Sequence, residues 1–345
     1  MPVAAIAYAL ISAALFGAST PLAKMLLGEV PPLALAGLLY LGSGLGLLAW
    51  IAVRPAASRV VLARSEWPWL GAAIVTGGVI APALLVFGLV RTDGATASLL
   101  LNLEAALTAA IAWIAFRENV DRGVLIGMVA IVAGGMVLSW EQVPRAGGVA
   151  GPLLIAAACL GWALDNNFTR RVSGGDAATI ACLKGLIAGA VNLALALAQG
   201  ALLPRAGAIA AAAIVGFFGY GISLALFIVA LRGLGTARTS AYFSIAPFFG
   251  AAVALAVLGE QATALFWVAA ALMALGVWLH VTERHEHRHV HAPIEHAHVH
   301  VHDEHHSHEH DFGFDGGEPH SHPHRHSRLV HSHPHYPDLH HRHEH

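Results

Sequence analysis

Apolar runs about twenty residues long, separated by only a few polar residues, constrain this chain more than any other feature. A helix rises about 1.5 Å per residue, so roughly 20 apolar residues match the hydrocarbon thickness of a bilayer. Reading for such runs, broken by charges, Pro and Gly, gives ten: 3–27, 32–53, 67–90, 95–116, 121–140, 151–169, 178–199, 208–231, 236–258 and 262–281. None shows the period-2 alternation of a barrel strand, and lipid cannot satisfy open backbone groups, so helices are predicted. Charged residues make up 12% of the chain, against roughly a quarter in soluble domains. The first run lacks the basic leader of a signal peptide and continues towards Leu27, which predicts a retained first helix.

All 24 histidines lie at or after His280. The chain is therefore expected to join a lipid-soluble body to a polar tail, 282–345. A net charge of −2, with cations scattered between apolar runs, excludes a nucleic-acid partner. Cys159 and Cys182 sit inside apolar runs and read as small packing residues rather than a disulfide framework. There is no nucleotide loop, nucleophile triad or intramembrane His pair, so enzyme chemistry has no foothold and no cofactor is required.

Lys and Arg set the expected orientation. With the N-terminus inside, the cytoplasmic side holds Arg54, Arg59, Arg64, Arg117, Arg122, Arg170, Arg171 and Arg232, and the other side Lys24, Arg91, Arg145 and Arg205. Ten spans then return the C-terminus to the cytoplasm.

The ten helices read as two copies of five, 1–141 and 142–281. FGASTPLAK at 16–24 aligns with WALDNNFTR at 162–170, Arg91–Gly94 with Arg232–Gly235, and Glu118 with Glu260. An odd number of spans turns the second copy upside down, and inverted repeats mark secondary transporters whose site lies between the repeats near the midplane. The opening FG...P..K, the Gly- and Thr-containing starts of helices 4 and 9 and the stretch SIAPFFGAAVALAVLGE from Ser244 to Glu260 resemble the EamA domain of the drug/metabolite transporter superfamily over residues 3–281. That resemblance implies a ten-helix exporter or exchanger of small metabolites, amino acids among them. One departure stands out: repeat 2 carries Pro247, whereas repeat 1 reads NLEAA, with Glu104 beside the equivalent place.

Glu104 sits near the middle of helix 4. A charge at that depth costs at least ~2.5 to 3.5 kcal/mol, so it should face a cavity or a partner. It reads either as a structural carboxylate or as the group that couples to a proton or cation, with Asn102 and Thr108 nearby. Asp165, Lys184 and Arg238 are expected at one depth near the inner end of the pathway, as a structural pairing or a clamp for a substrate carboxylate. Asn166, Asn167, Tyr242 and Ser244 are candidate ligands or inter-helix contacts, and Pro247 should kink helix 9. Lys24, Arg170, Glu118 and Glu260 are candidate gate or capping residues at the two membrane faces.

The tail, from His285 to His345, has 23 histidines in 61 residues and too few apolar residues for a core, which predicts disorder. Neutral imidazole ligates Ni, Zn, Co and Cu, and the alternating histidines offer many equivalent sites: His285, His287, His289, His291, His296, His298, His300, His302, His305, His306, His308 and His310. A metal buffer or sensor, a solvated tail and a pH switch all fit such a segment; residues 280–345, with five arginines against eleven acids, would turn strongly positive as histidines protonate.

The expectation is a proton-coupled exporter of a small metabolite or amino-acid-like solute in a bacterial cytoplasmic (inner) membrane, with a metal-binding tail. The alternatives are a divalent metal transporter served by the tail and a non-transporting, membrane-anchored metal reservoir.

Overall fold

The structure, a computed structural model, describes residues 2–53, 64–116, 122–142, 148–172, 176–282, 286–291, 295–300, 320–325 and 329–334. It divides into Met1–Glu283 and Arg284–His345. The described elements of the first unit are helices joined by short turns. Among its described residues, six helical runs are long and apolar enough to cross a membrane: Ala4–Leu26, Pro32–Val53, Arg64–Leu89, Gly94–Ala115, Ala177–Ala198 and Ala206–Ala230. Leu125–Trp140, Ala246–Val257 and Ala264–Leu279 are shorter apolar helices.

Helices α1 (Pro2–Leu26) and α2 (Pro32–Val53) precede a composite third rod made of α3 (Trp67–Ala73), a π-helical segment (Ile74–Ile80) and α4 (Ala81–Leu89). The fourth rod is α5 (Gly94–Leu100) and α6 (Leu103–Phe116), and α7 (Arg122–Gln142) completes the first repeat. The second repeat has α8 (Ala150–Val172), α9 (Ala177–Ala198), α10 (Ala206–Gly216), a second π segment (Phe217–Ile222), α11 (Ser223–Phe243), α12 (Ala246–Val257) and α13 (Ala264–Val281).

The two repeats share their irregularities. In the third rod the amide of Ala81 bonds the carbonyl of Thr76, and in the eighth that of Ser223 bonds Phe218, each five residues back. Both π segments are rich in glycine, with Gly77 and Gly78 in one and Gly219 and Gly221 in the other. In the fourth rod the i→i−4 ladder gives way to tighter bonds, Asn102 N to Leu99 O at 3.0 Å and Glu104 N to Leu101 O at 3.0 Å. The ninth breaks in the same way, with Ile245 N to Tyr242 O at 3.4 Å and Phe248 N to Ile245 O at 3.0 Å. Different chemistry makes the two breaks. Pro247 has no N–H to continue the ladder, whereas the Asn102 side chain donates to Leu99 O at 3.1 Å and competes for a helical carbonyl.

This corrects the reading of helix 4 as continuous: Glu104 lies in the first turn of a half-helix, α6, in the place that Pro247 takes in α12. A second correction concerns α11, which stays helically bonded through the turn expected at Arg232–Gly235. Phe227 and Phe243 would be about 24 Å apart on a straight helix, yet their ring centroids are 4.9 Å apart. The chain therefore doubles back inside α11, and rods eight and nine run antiparallel. Rods four and nine are also opposed, because Glu260 past the end of α12 bonds the first amides of α5.

Outward faces are apolar. On α7, Val129 (62% exposed), Met136 (63%) and Trp140 (75%) form a stripe at helical spacing that suits lipid and not water. Inside, small residues bring helices together: a Cβ on Gly185 would lie within 3 Å of the backbone of Gly44, so α2 and α9 touch main chain to main chain. Ser12 and Ser223 exchange hydrogen bonds to each other's carbonyls at 2.7 and 2.9 Å, joining α1 to α11.

The tail is a separate unit. Its described residues form β1 (Glu286–His291), β2 (Glu295–His300), β3 (His320–Arg325) and β4 (Leu329–Pro334), with β1 paired to β4 and β2 to β3, both antiparallel. Low apolar content argues against a packed core but not against strands, whose period of two the His-x-His pattern shares.

Candidate functional site

The polar patch on α8 spreads its three side chains about 100° apart, so each meets a different neighbour. Asp165 meets α9: the Lys184 ammonium donates to its two oxygens at 2.6 and 2.7 Å, and the Thr169 hydroxyl donates to it at 2.8 Å. The pair is buried, with 7% of the Lys184 and 9% of the Asp165 side chain exposed. Asn167 donates to Ala163 O in its own helix at 2.8 Å. Asn166 donates to Glu104 Oε1 at 2.8 Å.

Glu104 is thus held differently from Asp165. Its contact is a neutral amide, and among the described ion pairs none includes it. It is half-buried and Asn166 is exposed, so the pair fronts accessible space rather than packed protein. The N-terminus of α6 places the positive end of the helix dipole at this carboxylate, which favours negative charge by about 0.3 to 1 kcal/mol. Below it the Cys159 thiol reaches Leu100 O, freed by the break, at 3.7 Å.

One turn along α8 from Asn166, Trp162 begins an aromatic wall. Phe16 of α1 lies 6.2 Å from Trp162, 5.8 Å from Tyr220 and 5.4 Å from Phe243, centroid to centroid. Tyr40 of α2 lies 5.2 Å from Tyr220. Phe16 and Trp162 are the matching aromatics of the two repeats, so their contact marks the axis that relates them. The first π segment anchors this wall: Gly77 O accepts from the Tyr40 hydroxyl at 2.8 Å and from the Trp162 indole at 2.9 Å. A Cβ on Gly77 would overlap the Asp165 carboxyl, so the glycine is what lets the ion pair sit beside the wall. In the other repeat Ser19 packs on Gly219 in the matching way.

At one end of the bundle, Glu260 accepts from Gly94 N and Ala95 N, both at 2.7 Å. Lys24 donates to Leu89 O and Thr92 O at 2.5 Å each. Between them these two residues clamp both sides of the turn between α4 and α5. Their counterparts fall outside what the structure describes, Glu118 entirely and Arg170 in its side chain, as does the side chain of Arg238. Asn102 and Ser244 are buried at the two breaks, and Tyr242 is half-buried just before the second. Thr108 Oγ1 and Asn102 Oδ1 are buried without a hydrogen-bond partner among the described residues. Of the tail histidines, His287, His289, His291, His296, His298 and His300 lie on strands, while His285, His302, His305, His306, His308 and His310 lie outside the described residues.

Tyr40, Gly77 and Thr169 join the site without having been expected in it. The signal for Gly77 was present as a glycine pair in the third rod matched by Gly219-Tyr220-Gly221 in the eighth. Tyr40 had none, since a lone tyrosine in an apolar run reads as packing.

Known proteins agree with this architecture. The chain is 27% identical over 288 residues to an uncharacterized transporter of Methanothermobacter thermautotrophicus, covering 76% of this chain and 82% of that protein. A crystal structure with 20% sequence identity superposes with a TM-score of 0.57, covering 79% of this chain and 95% of that one, a likeness of fold. The profile of the EamA-like transporter family matches twice, at residues 3–140 and 149–282. Two matches back to back, on two halves with the same breaks, place this multi-pass membrane protein in the EamA-like transporter family.

Proposed function

We propose that the protein exports a small amine-bearing, amino-acid-like solute in exchange for protons, with Glu104 as the group both occupants share. The observation that carries this reading is the contrast between two carboxylates. Asp165 is neutralised by Lys184, whereas Glu104 faces accessible space with an amide beside it. A carboxylate so placed can hold a proton or an ammonium group but not both, and exclusive occupancy of one site is enough to couple two opposed fluxes. The aromatic wall supplies a face for the rest of the solute and, through its ring quadrupoles, for its positive charge. Asp165 and Lys184 form the inner end of the pathway, and the membrane is the bacterial cytoplasmic one with both termini inside.

Among the described residues no group of three or more His, Cys, Asp or Glu is placed to hold a metal ion, which favours an organic solute over a naked divalent metal as cargo. Metal belongs to the tail, where histidines bind Ni, Zn, Co or Cu.

The test is transport in proteoliposomes under an imposed pH gradient, with small amines and amino acids as candidate solutes. Glu104→Gln should abolish the pH dependence while the protein stays folded. Unchanged pH dependence in that variant would remove Glu104 from the coupling step.

A further inference from the structure

A cavity of about 220 Å³ lies at one end of the helical body, where α2 starts, α4 nears its end and α9 stops. Leu33 of α2, Phe87 of α4 and Ala196 of α9 wall it, and Ala201 closes it from the loop beyond; Gln199 is the one polar side chain among the described residues that line it. The stop of α9 shapes this wall. Gly200 takes a left-handed φ of 84°, its amide bonds Leu197 O at 2.9 Å and that of Ala201 bonds Ala196 O at 3.0 Å, the two bonds of a Schellman cap. The cap turns Ala201 towards the cavity, and the loop then bares Leu202 and Leu203, 84% and 59% exposed. Two leucines bared beside helix ends suit a lipid surface and not water.

Two guanidinium groups accompany the cavity. Arg205 donates through Nε to Glu29 Oε2 at 3.0 Å and through Nη2 to Glu29 Oε1 at 2.5 Å. The pair ties the loop after α9 to the turn before α2, the segments that bring Ala201 and Pro31 to the lining. Arg91 lies one turn past Phe87 and donates from Nη1 to its carbonyl at 2.7 Å. The nearby Asp93 caps α5, accepting from Thr96 N at 2.8 Å. Both arginines are exposed, and a guanidinium carries more N–H donors than these bonds use. Such donors match the oxygens of a phosphate two at a time. The cavity is smaller than the roughly 300 to 1,000 Å³ of sites that enclose a whole small molecule, so it takes one part of a longer apolar ligand. Apolar lining towards the bundle and arginines at the helix ends repeat the order of a phospholipid, with hydrocarbon inward and phosphate at the headgroup level.

We propose that this cavity binds one phospholipid, with the start of an acyl chain against Leu33, Phe87 and Ala201 and the phosphate on Arg91 and Arg205. Bound there, the lipid bridges the ends of α2, α4 and α9, beside the turn between α4 and α5 that Lys24 and Glu260 hold. None of the lining residues belongs to the site at Glu104, and the proposal stands independently of what the protein transports.

The experiment is native mass spectrometry of the full-length protein in detergent, titrated separately with phosphatidylglycerol, with diacylglycerol of the same chains and with glycerol phosphate. One phosphatidylglycerol per chain should be retained, and neither of the other two ligands should reach comparable occupancy. Arg91→Gln/Arg205→Gln should weaken retention by roughly tenfold or more, the scale of a lost hydrogen bond between charged groups. Arg64→Gln/Arg122→Gln removes as many charges at the starts of α3 and α7, the opposite end of the body, and should leave retention unchanged. Ala201→Phe fills the cavity from a half-buried loop position and should abolish retention, with the unfolding midpoint in lipid-free detergent close to wild type. Equal retention of phosphatidylglycerol and diacylglycerol, or by the wild type and Arg91→Gln/Arg205→Gln, would overturn the phosphate contact and the proposal with it. Unchanged retention in Ala201→Phe would place the lipid elsewhere on the apolar surface. Glycerol phosphate held as tightly as the lipid would make this a site for a free phosphate ester and not for a phospholipid.

Discussion

Two acidic side chains on facing helices, Glu104 and Asp165, have opposite fates because of what stands beside them. Asp165 is locked by a bidentate contact with Lys184 and a hydroxyl from Thr169. Removing one partner of such a pair strands a buried charge, at a cost of about 3 to 5 kcal/mol, while replacing both by apolar residues is often close to neutral. Lys184→Met should therefore lower the unfolding midpoint clearly, and Lys184→Met/Asp165→Leu should recover most of the loss, as read by thermal unfolding in detergent. If the double variant is as unstable as the single one, the pair does more than neutralise itself. The meeting of Asp165 and Lys184 was legible from the chain, because counting residues from helix ends places both at one depth. The surroundings of Glu104 were only half legible: its depth follows from counting, but the break before it depends on whether the Asn102 amide turns back on Leu99 O, which no residue pattern announces.

At the scale of elements, the third and fourth rods of each repeat carry the irregular backbone that the site uses. Apolar periodicity shows that a rod exists and is blind to one extra residue in a turn, so the π segments at Ile74–Ile80 and Phe217–Ile222 were invisible as such. The carbonyl that anchors Tyr40 and Trp162 belongs to the first of them. Gly77→Val should push the Asp165 carboxyl away and abolish transport with a fall in stability, whereas Gly71→Ala, where an added Cβ meets nothing within 4 Å, should do neither. Equal stability and transport in the two variants would show that the contact between Gly77 and Asp165 is dispensable. In α12, Pro247→Ala restores a backbone donor at the break; the expected outcome is a slower transport cycle with unfolding little changed, since Pro already sits in a first turn where its missing N–H costs little.

The helical body is two halves built on one plan, with their fourth rods run in opposite directions. Because rods four and nine are antiparallel counterparts, the end of one meets the start of the other, and Glu260 capping Gly94 and Ala95 is that meeting seen at one membrane face. Lys24 holds the carbonyl side of the same turn, so the closure depends on two side chains from different repeats. Glu260→Ala leaves two amides unsatisfied and should loosen this face. A cysteine placed at the fully buried Ser98 should then react several-fold faster with a maleimide added from that side, and equal rates would show that the clamp does not control access.

Coupling at Glu104 makes one claim about the resting protein that needs no transport at all: a solute amine and a proton compete for one carboxylate. The direct measurement is proton release on solute binding, followed with a pH indicator in weakly buffered detergent solution near neutral pH, using a solute identified by thermal shift. Wild-type protein should release protons when the solute binds, and Glu104→Gln should release none. Solute binding without proton release by the wild type, or equal release by Glu104→Gln, would contradict the account.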